Sequence, residues 1–227
     1  MSPKRSIVLG LVAALACTPA VTAARQSPPP NTADLPIASD AAAETLLVDV
    51  QSVDPTIVVD MRYATANNFT GAVLPGYEGN RAFLRREAAR ALARVQRRAA
   101  AEGYSLQIYD AYRPVRATLA MVDWTRRVGR EDLLRDGYIA TRSRHNLGLA
   151  VDLTLVERSS GHELAMGTPY DTFSPAAHTA NARGEIARNR GRLKRLMEAE
   201  GFVSYHKEWW HFSFDVPNPV LFDMLVR

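Results

Sequence analysis

Two short polar motifs constrain this chain more than any other feature, because only a fold that brings them together can use them. The first, Ser143–Asp152, reads S-R-H-N-L-G-L-A-V-D, and the second, Glu208–His211, reads E-W-W-H. Between them they hold two histidines and two carboxylates. A single histidine or aspartate is usually an ordinary core or surface residue, but four such side chains in two compact clusters indicate one shared site.

These four side chains match the needs of a hydrolytic zinc site. Such a site usually takes three protein ligands and leaves the fourth position to water, and imidazole and carboxylate are suitable ligands. His145, Asp152 and His211 supply the three ligands. Glu208 is left over, and a carboxylate beside such a water can act as its general base. The motifs therefore predict one zinc ion per chain.

The N-terminal segment predicts export from the cytoplasm. A basic start at Lys4 and Arg5, an apolar run over residues 7–16 and the small residues that follow are the three parts of a secretory signal. The apolar run is too short to span a bilayer as a helix. We therefore expect residues 1–24 to be a signal peptide and the mature protein to be exported, most simply to the periplasm.

Cys17 leaves a second interpretation of this segment open. It is the only cysteine of the chain and directly follows Ala14-Leu15-Ala16, so it could carry a lipid and anchor the protein to a membrane. Lipid-attachment motifs usually have leucine where Ala14 stands, which favours simple export. The rest of the chain has no cysteine, which excludes a disulfide and a thiolate zinc site there.

Charge and length restrict the class of protein further. The formal net charge is +4, and the arginines are spread along predicted helices without interleaved aromatic residues, so a nucleic-acid surface is not indicated. No protein partner is implied either. Three consecutive prolines at 28–30 predict a disordered linker over residues 25–44. Residues 45–227 are then long enough for one domain with its own core.

Hydrophobic periodicity predicts helices and strands in an irregular order, without a run of βαβ units. This order favours a single α+β domain, with helices packed on a largely antiparallel sheet and the zinc site in a cleft. We expect strands at 56–61, 105–109, 149–155 and 209–214, amphipathic helices over 83–101 and 183–200, and a further helix that starts at Pro114.

The predicted elements place the motif residues at strand ends and turns. His145 lies in the turn that enters the strand at 149–155, and Asp152 projects from one face of that strand. On a straight strand Glu208 and His211 would point to opposite faces. Glu208 must therefore come from the preceding turn or from a bulge if it is to reach the same site.

The motifs resemble those of the D-alanyl-D-alanine dipeptidase family. These zinc peptidases belong to a wider group of wall-active peptidases that share the pattern S-x-H-x-x-G-x-A-x-D and a later E-x-x-H. Three further stretches are similar to the dipeptidase branch in particular, namely Tyr63–Gly71, Asp110–Pro114 and Gly167–Asp171. The resemblance implies zinc binding by His145 together with the other two predicted ligands, and a catalytic base at Glu208.

The resemblance also implies roles for three residues outside the metal set. Arg113 would stabilise the oxyanion of the tetrahedral intermediate, and Ser143 and Asp171 would bind the two ends of a dipeptide. The residues themselves leave alternatives open. Arg113 could be a structural ion-pair partner of Asp110, and Ser143 and Asp171 could simply cap local backbone.

The activity implied by the resemblance is hydrolysis of the D-Ala-D-Ala dipeptide. For an exported protein, this substrate would be released outside the inner membrane during wall turnover. A D,D-carboxypeptidase or wall endopeptidase on the same scaffold is the alternative within enzymes. A non-catalytic wall-binding module is the alternative outside them, and it has no need to keep Glu208 and Arg113 beside three metal ligands.

Overall fold

A five-stranded β-sheet lies at the centre of the computed structural model, which describes residues 35–227. The predicted signal peptide and residues 25–34 of the predicted linker lie outside the described residues. The strands are β1 (Leu47–Asp49), β2 (Val58–Val59), β3 (Phe83–Arg85), β4 (Tyr104–Asp110), β5 (Ala150–Glu157), β6 (Val203–Ser204) and β7 (His211–Ser213). The α-helices are α1 (Asp40–Leu46), α2 (Val50–Val53), α3 (Arg86–Ala101), α4 (Val115–Val128), α5 (Asp132–Arg135) and α6 (Gly184–Glu198).

The main sheet has the strand order β2-β4-β5-β7-β6, with β2 parallel to β4 and the other neighbours antiparallel. β1 and β3 form a separate antiparallel pair. β5 is central, and every residue from Ala150 to Val156 is buried, which explains its nearly continuous apolar sequence. The predicted α+β class with a largely antiparallel sheet is confirmed.

The register of the three central strands places polar residues in one row. Asp152 on β5 is the cross-strand partner of Asp110 on β4 and of His211 on β7. Side chains of directly opposite residues project from the same face of a sheet. The register therefore brings one residue of each polar motif together before any loop contributes.

Helix α3 packs against β4 and α6 and confirms the predicted amphipathic pattern. Its start is corrected from residue 83 to Arg86, because Phe83–Arg85 pairs with β1 as a strand. Helix α6 lies within the predicted range 183–200. The buried residues of α3 include the expected set Ala88, Ala91, Leu92, Val95 and Ala99.

Helix α4 begins directly after Pro114, in agreement with the sequence prediction. Pro114 is the N-cap residue and Val115 the first residue of the helix, which ends at Gly129 in the left-handed conformation, with φ of 69°. Arg113 therefore lies between β4 and α4, just beyond the last residue of β4. None of the helices between Leu35 and Arg227 combines the length and the hydrophobicity that crossing a bilayer requires.

The predicted end of the linker at residue 44 is wrong, because the folded domain begins earlier. Ser39 caps α1 through its side-chain oxygen, which accepts from the amide of Ala42 at 3.3 Å. Ala38 donates to the carbonyl of Leu221 at 2.8 Å, and Ala43 is buried in the core. The few apolar residues of this short segment were enough to dock it, although its composition resembled that of a linker.

Candidate active site

The three predicted zinc ligands meet beside the interior strands β5 and β7. His145 Nε2 lies 3.2 Å from His211 Nδ1 and 3.3 Å from Asp152 Oδ1, and the last two atoms lie 2.9 Å apart. Nitrogen and oxygen ligands about 2.0 to 2.1 Å from a tetrahedral zinc ion stand roughly 3.3 to 3.4 Å from one another. The triangle of donor atoms therefore fits zinc with little adjustment, and these residues form a possible metal-binding group.

A capped turn fixes the first ligand. His145 lies in the 3-10 turn Arg144–Leu147, which ends at Gly148 with φ of 63°. A Cβ atom at Gly148 would lie 2.4 Å from Leu47 Cδ2, so this turn requires glycine for space as well as for its backbone conformation. His145 Nδ1 lies 2.6 Å from the carbonyl oxygen of Ala111. That contact assigns the ring proton to Nδ1 and leaves the Nε2 lone pair free for a metal.

The protonation states of the other two ligands also suit a metal. Burial lowers the pKa of His211, which keeps its ring neutral at physiological pH. Burial alone would raise the pKa of Asp152, but His145 and His211 outweigh it and hold that pKa well below its ordinary value. Metal binding needs a neutral imidazole and an ionised carboxylate, and both are present here.

The second oxygen of Asp152 is held by a tyrosine. Tyr170 donates from its hydroxyl to Asp152 Oδ2 at 2.8 Å, and the same hydroxyl oxygen lies 3.1 Å from the hydroxyl oxygen of Tyr63. Tyr63 in turn donates to Asp171 Oδ1 at 3.0 Å. A row of close polar contacts therefore joins a predicted metal ligand to a predicted substrate-binding carboxylate.

Glu208, the predicted base, stands beside the ligand triangle. As expected from the strand pattern, it comes from the turn before β7, and its Oε2 lies 4.0 Å from His211 Nδ1. The residue is buried, and burial followed by repulsion from Asp152 and Asp171 raises its pKa well above the ordinary value. A raised pKa makes a carboxylate a stronger proton acceptor, and a bound dication would act in the opposite direction.

Arg113 forms the ion pair that the sequence left open as an alternative, and it also reaches the site. Its Nε and one terminal nitrogen lie 2.9 and 2.7 Å from Asp110 Oδ2. The same terminal nitrogen lies 3.8 Å from Asp152 Oδ2, and the guanidinium carbon stands 5.0 Å from the ring centre of Tyr63. Tyr77 donates to the other oxygen of Asp110 at 2.6 Å. The buried Arg113–Asp110 pair therefore holds a positive charge at a fixed position close to Asp152 and Tyr63.

Asp171 has an uncommon backbone and a perturbed carboxyl. Its φ of 59° lies in the left-handed region, which aspartate tolerates better than most residues. Burial, and then repulsion from the nearby Asp152, raise its pKa to about 8, although the hydrogen bond from Tyr63 acts to lower it. The carboxylate accepts from a tyrosine side chain and not from a local amide, which differs from the backbone-capping alternative.

Ser143 shows the capping contact that was its alternative role. Its hydroxyl oxygen accepts from the amide of His145 at 3.3 Å, while its own amide donates to Asn146 Oδ1 at 2.9 Å. It therefore stabilises the turn that carries a predicted ligand. A contact between Ser143 and substrate stays a prediction.

Two tyrosines of the site were missed by sequence reasoning. Neither Tyr63 nor Tyr170 was among the candidate site residues. Both lie inside stretches that resemble the dipeptidase branch, Tyr63–Gly71 and Gly167–Asp171, and this position was the available signal. Their mutual contact joins residues 107 positions apart and was not visible in either stretch alone.

Comparisons with known proteins identify the family of this chain. The family model described as D-ala-D-ala dipeptidase, of the M15 peptidases, matches residues 43–218. The D-alanyl-D-alanine dipeptidase of Enterococcus faecium is 37% identical over 177 residues, covering 70% of this chain and 87% of that protein. The D-alanyl-D-alanine dipeptidase of Escherichia coli K12 is 33% identical over 183 residues, covering 80% of this chain and 90% of its own length.

Among solved structures, the LdcB LD-carboxypeptidase aligns at 24% identity with a TM-score of 0.41, covering 58% of this chain and 59% of that chain. This structural similarity is too low to assign a family. The family assignment rests instead on the sequence matches and on the metal-binding group. The chain belongs to the D-Ala-D-Ala dipeptidase family of zinc-dependent M15 metallopeptidases.

Proposed function

We propose that this protein hydrolyses the D-Ala-D-Ala dipeptide outside the cytoplasm, with His145, Asp152 and His211 as zinc ligands. The observation that carries the proposal is the triangle of donor atoms, with edges of 2.9 to 3.3 Å, beside a buried Glu208. The relatives named as D-alanyl-D-alanine dipeptidases support the choice of substrate.

Glu208 is proposed to move the proton in this reaction. When bound, zinc would supply Lewis acidity, lowering the pKa of a coordinated water to about 7 and polarising the scissile carbonyl. Glu208 would accept the proton of the attacking water and pass it to the nitrogen of the leaving amine. Its burial keeps bulk water from competing for that proton.

Arg113 is proposed to stabilise the negative charge that develops on the carbonyl oxygen. Its pairing with the buried Asp110 fixes the guanidinium before substrate arrives, so little reorganisation is needed during the reaction. A preorganised donor of this kind contributes about 3 to 4 kcal/mol to stabilising a transition state.

Recognition of a dipeptide needs opposite charges at its two ends, because the molecule is a zwitterion. Asp171 is proposed to bind the ammonium group, whose positive charge would lower the raised pKa of this carboxyl and favour its ionised form. Tyr63 orients the carboxylate by a hydrogen bond of 3.0 Å. Ser143 is proposed to lie near the substrate carboxylate, with its hydroxyl still able to donate while it accepts from the turn.

A comparison of three substrates tests this proposal. Zinc-loaded protein would be incubated with D-Ala-D-Ala, with L-Ala-L-Ala and with a wall pentapeptide that ends in D-Ala-D-Ala. We expect release of free alanine from the D,D dipeptide at a rate well above that from the other two. Faster cleavage of the pentapeptide would instead assign a D,D-carboxypeptidase, and no cleavage of any substrate would contradict an enzymatic role.

A further inference from the structure

The segment that carries Tyr170 and Asp171 has little regular structure of its own. Between Ala165 and His178 the described backbone forms bends and turns and the short 3-10 turn Pro175–Ala177, without an α-helix or a strand. A segment of this kind depends on contacts from neighbouring elements to keep one shape. We refer to residues 165–178 as the substrate segment.

One buried arginine on α6 binds both ends of the substrate segment. Arg190 donates from Nε to the carbonyl of Met166 at 2.7 Å, and from its two terminal nitrogens to the carbonyls of His178 and Ala176 at 3.0 Å each. Arg190 is among the largest fully buried side chains within residues 35–227, with 2% of its surface exposed. All three partners are backbone carbonyls, and within residues 35–227 this guanidinium forms no ion pair, so its contacts hold backbone in place.

Neighbouring contacts restrict the same segment further. Asn189, next to Arg190 on α6, donates from its side chain to the carbonyl of Ala165 at 3.0 Å. Gly167 has φ of 82°, and a Cβ atom there would lie 2.7 Å from Ile186 Cγ2 and 3.4 Å from a terminal nitrogen of Arg190. The first turn of the substrate segment is therefore packed directly onto α6.

We propose that Arg190 is a positioning residue, which holds the substrate segment in the shape that presents Asp171 and Tyr170 to the metal-binding group. Asp171 has a positive φ, a conformation that persists when surrounding contacts determine it. Tyr170 and Asp171 lie between the points that Arg190 fastens, at Met166 on one side and at Ala176 and His178 on the other. Arg190 does not touch the proposed substrate position and acts through this backbone.

The planar shape of guanidinium is what the arrangement needs. Five N–H donors in a fixed fork can reach three carbonyls at once, whereas the ammonium group of lysine is a compact charge on a flexible stem. Arg190→Lys therefore keeps the positive charge but loses the fork. Arg188→Lys is the matched control, because Arg188 lies on the same helix and is exposed to solvent.

Hydrogen–deuterium exchange of the full zinc-loaded protein tests this inference without any substrate. We expect Arg190→Lys to raise exchange across residues 165–178 and to leave β5 and α3 unchanged, while Arg188→Lys matches the wild type. A general rise in exchange over the whole domain, or no change in the substrate segment, would overturn the inference. If Arg190→Lys does not yield folded protein, Asn189→Ala removes one bond at the same end and should raise exchange locally to a smaller extent.

The kinetic consequence rests on the proposed function and is measured separately. We expect Arg190→Lys to raise KM for D-Ala-D-Ala roughly tenfold or more, with a smaller fall in kcat and unchanged zinc content, because a binding group is displaced while the metal ligands stay in place. Unchanged KM together with a lower melting temperature would reduce Arg190 to a stabilising residue and overturn the inference. A wild type that does not cleave the dipeptide would contradict the proposed function, and the exchange result would still decide on Arg190.

Discussion

Asp152 and His211 are cross-strand partners on β5 and β7, and their side chains meet with Oδ1 and Nδ1 2.9 Å apart. Two of the three proposed zinc ligands are therefore set by strand register, and a shift by one residue would turn Asp152 to the opposite face of the sheet. The third, His145, is set by a capped turn that enters the same strand. Metal binding and correct pairing of the central strands are thus coupled.

Substitution of either histidine ligand tests the metal assignment. His145→Ala and His211→Ala should each lose zinc and activity, because two remaining ligands bind the ion far more weakly. Metal analysis of the purified variants measures this, with about one zinc per chain expected in the wild type. His162→Ala is the control, since His162 is exposed and lies outside the metal-binding group, and this variant should retain full zinc content. Full occupancy in both ligand variants would refute the assignment.

Arg113→Lys distinguishes a catalytic role from a structural ion pair. Lysine keeps the charge beside Asp110 but cannot reproduce the two-nitrogen contact, so we expect kcat to fall by roughly a hundredfold or more with a smaller change in KM. Steady-state kinetics below the melting temperature measures the effect. A variant that is merely less stable, with normal kcat, would show that Arg113 serves the fold alone.

The raised pKa of Asp171 predicts a pH-dependent stability. Its pKa is about 8 in the folded protein and about 3.9 in an unfolded chain, so the folded state holds the proton more tightly. This contribution is fully present below about pH 4 and is lost as the pH rises through 8. Asp171→Asn removes that loss, and asparagine also tolerates the positive φ. The variant should therefore gain stability relative to the wild type as the pH rises from 5 to 9.

Urea unfolding of both proteins in the presence of a chelator measures this difference, since a bound dication would lower the pKa of nearby carboxyls. Asp123→Asn, at an exposed position on α4, serves as the control. A stability difference that does not change with pH would contradict the assignment of a raised pKa to Asp171. The substitution should also raise KM for the dipeptide if the ammonium group binds there.

The motifs were sufficient to predict the metal-binding group because their geometry depends on local rules. The alternation over residues 149–155 defines the face on which Asp152 lies, and the change from turn to strand explains how Glu208 joins His211. The first inference needs only the two-residue period of a strand, and the second needs only the position at which a turn ends and a strand begins. The cluster in the structure agrees with them.

Contacts between distant segments could not be predicted in this way. An arginine on an amphipathic helix usually indicates a solvated face, yet Arg190 is buried because its partners are carbonyls of an irregular segment up to 24 positions away. Residues 83–85 have a pattern compatible with a helix, and only their pairing with Leu47–Asp49 makes them a strand. Such pairings follow from tertiary packing, which overrides local propensity.

The location of the protein depends on residues 1–24, and we propose that they direct export. Cell fractionation with N-terminal sequencing of the recovered chain should find a periplasmic protein that begins after Ala23 or Ala24. A membrane-bound chain that begins at a modified Cys17 would instead support the lipid-anchored form. Recovery of the uncleaved chain in the cytosol would contradict export, and with it a role in wall turnover, while the chemistry would be unaffected.

The most direct test of the central claim compares the wild type with Glu208→Gln on D-Ala-D-Ala, with zinc measured in the same samples. The variant should keep about one zinc per chain and the same fold, but its kcat should fall by roughly two to four orders of magnitude, because the attacking water loses its proton acceptor. Glu185→Gln, at an exposed position on α6, should behave as the wild type. Near-normal turnover by Glu208→Gln with full zinc content would contradict the account.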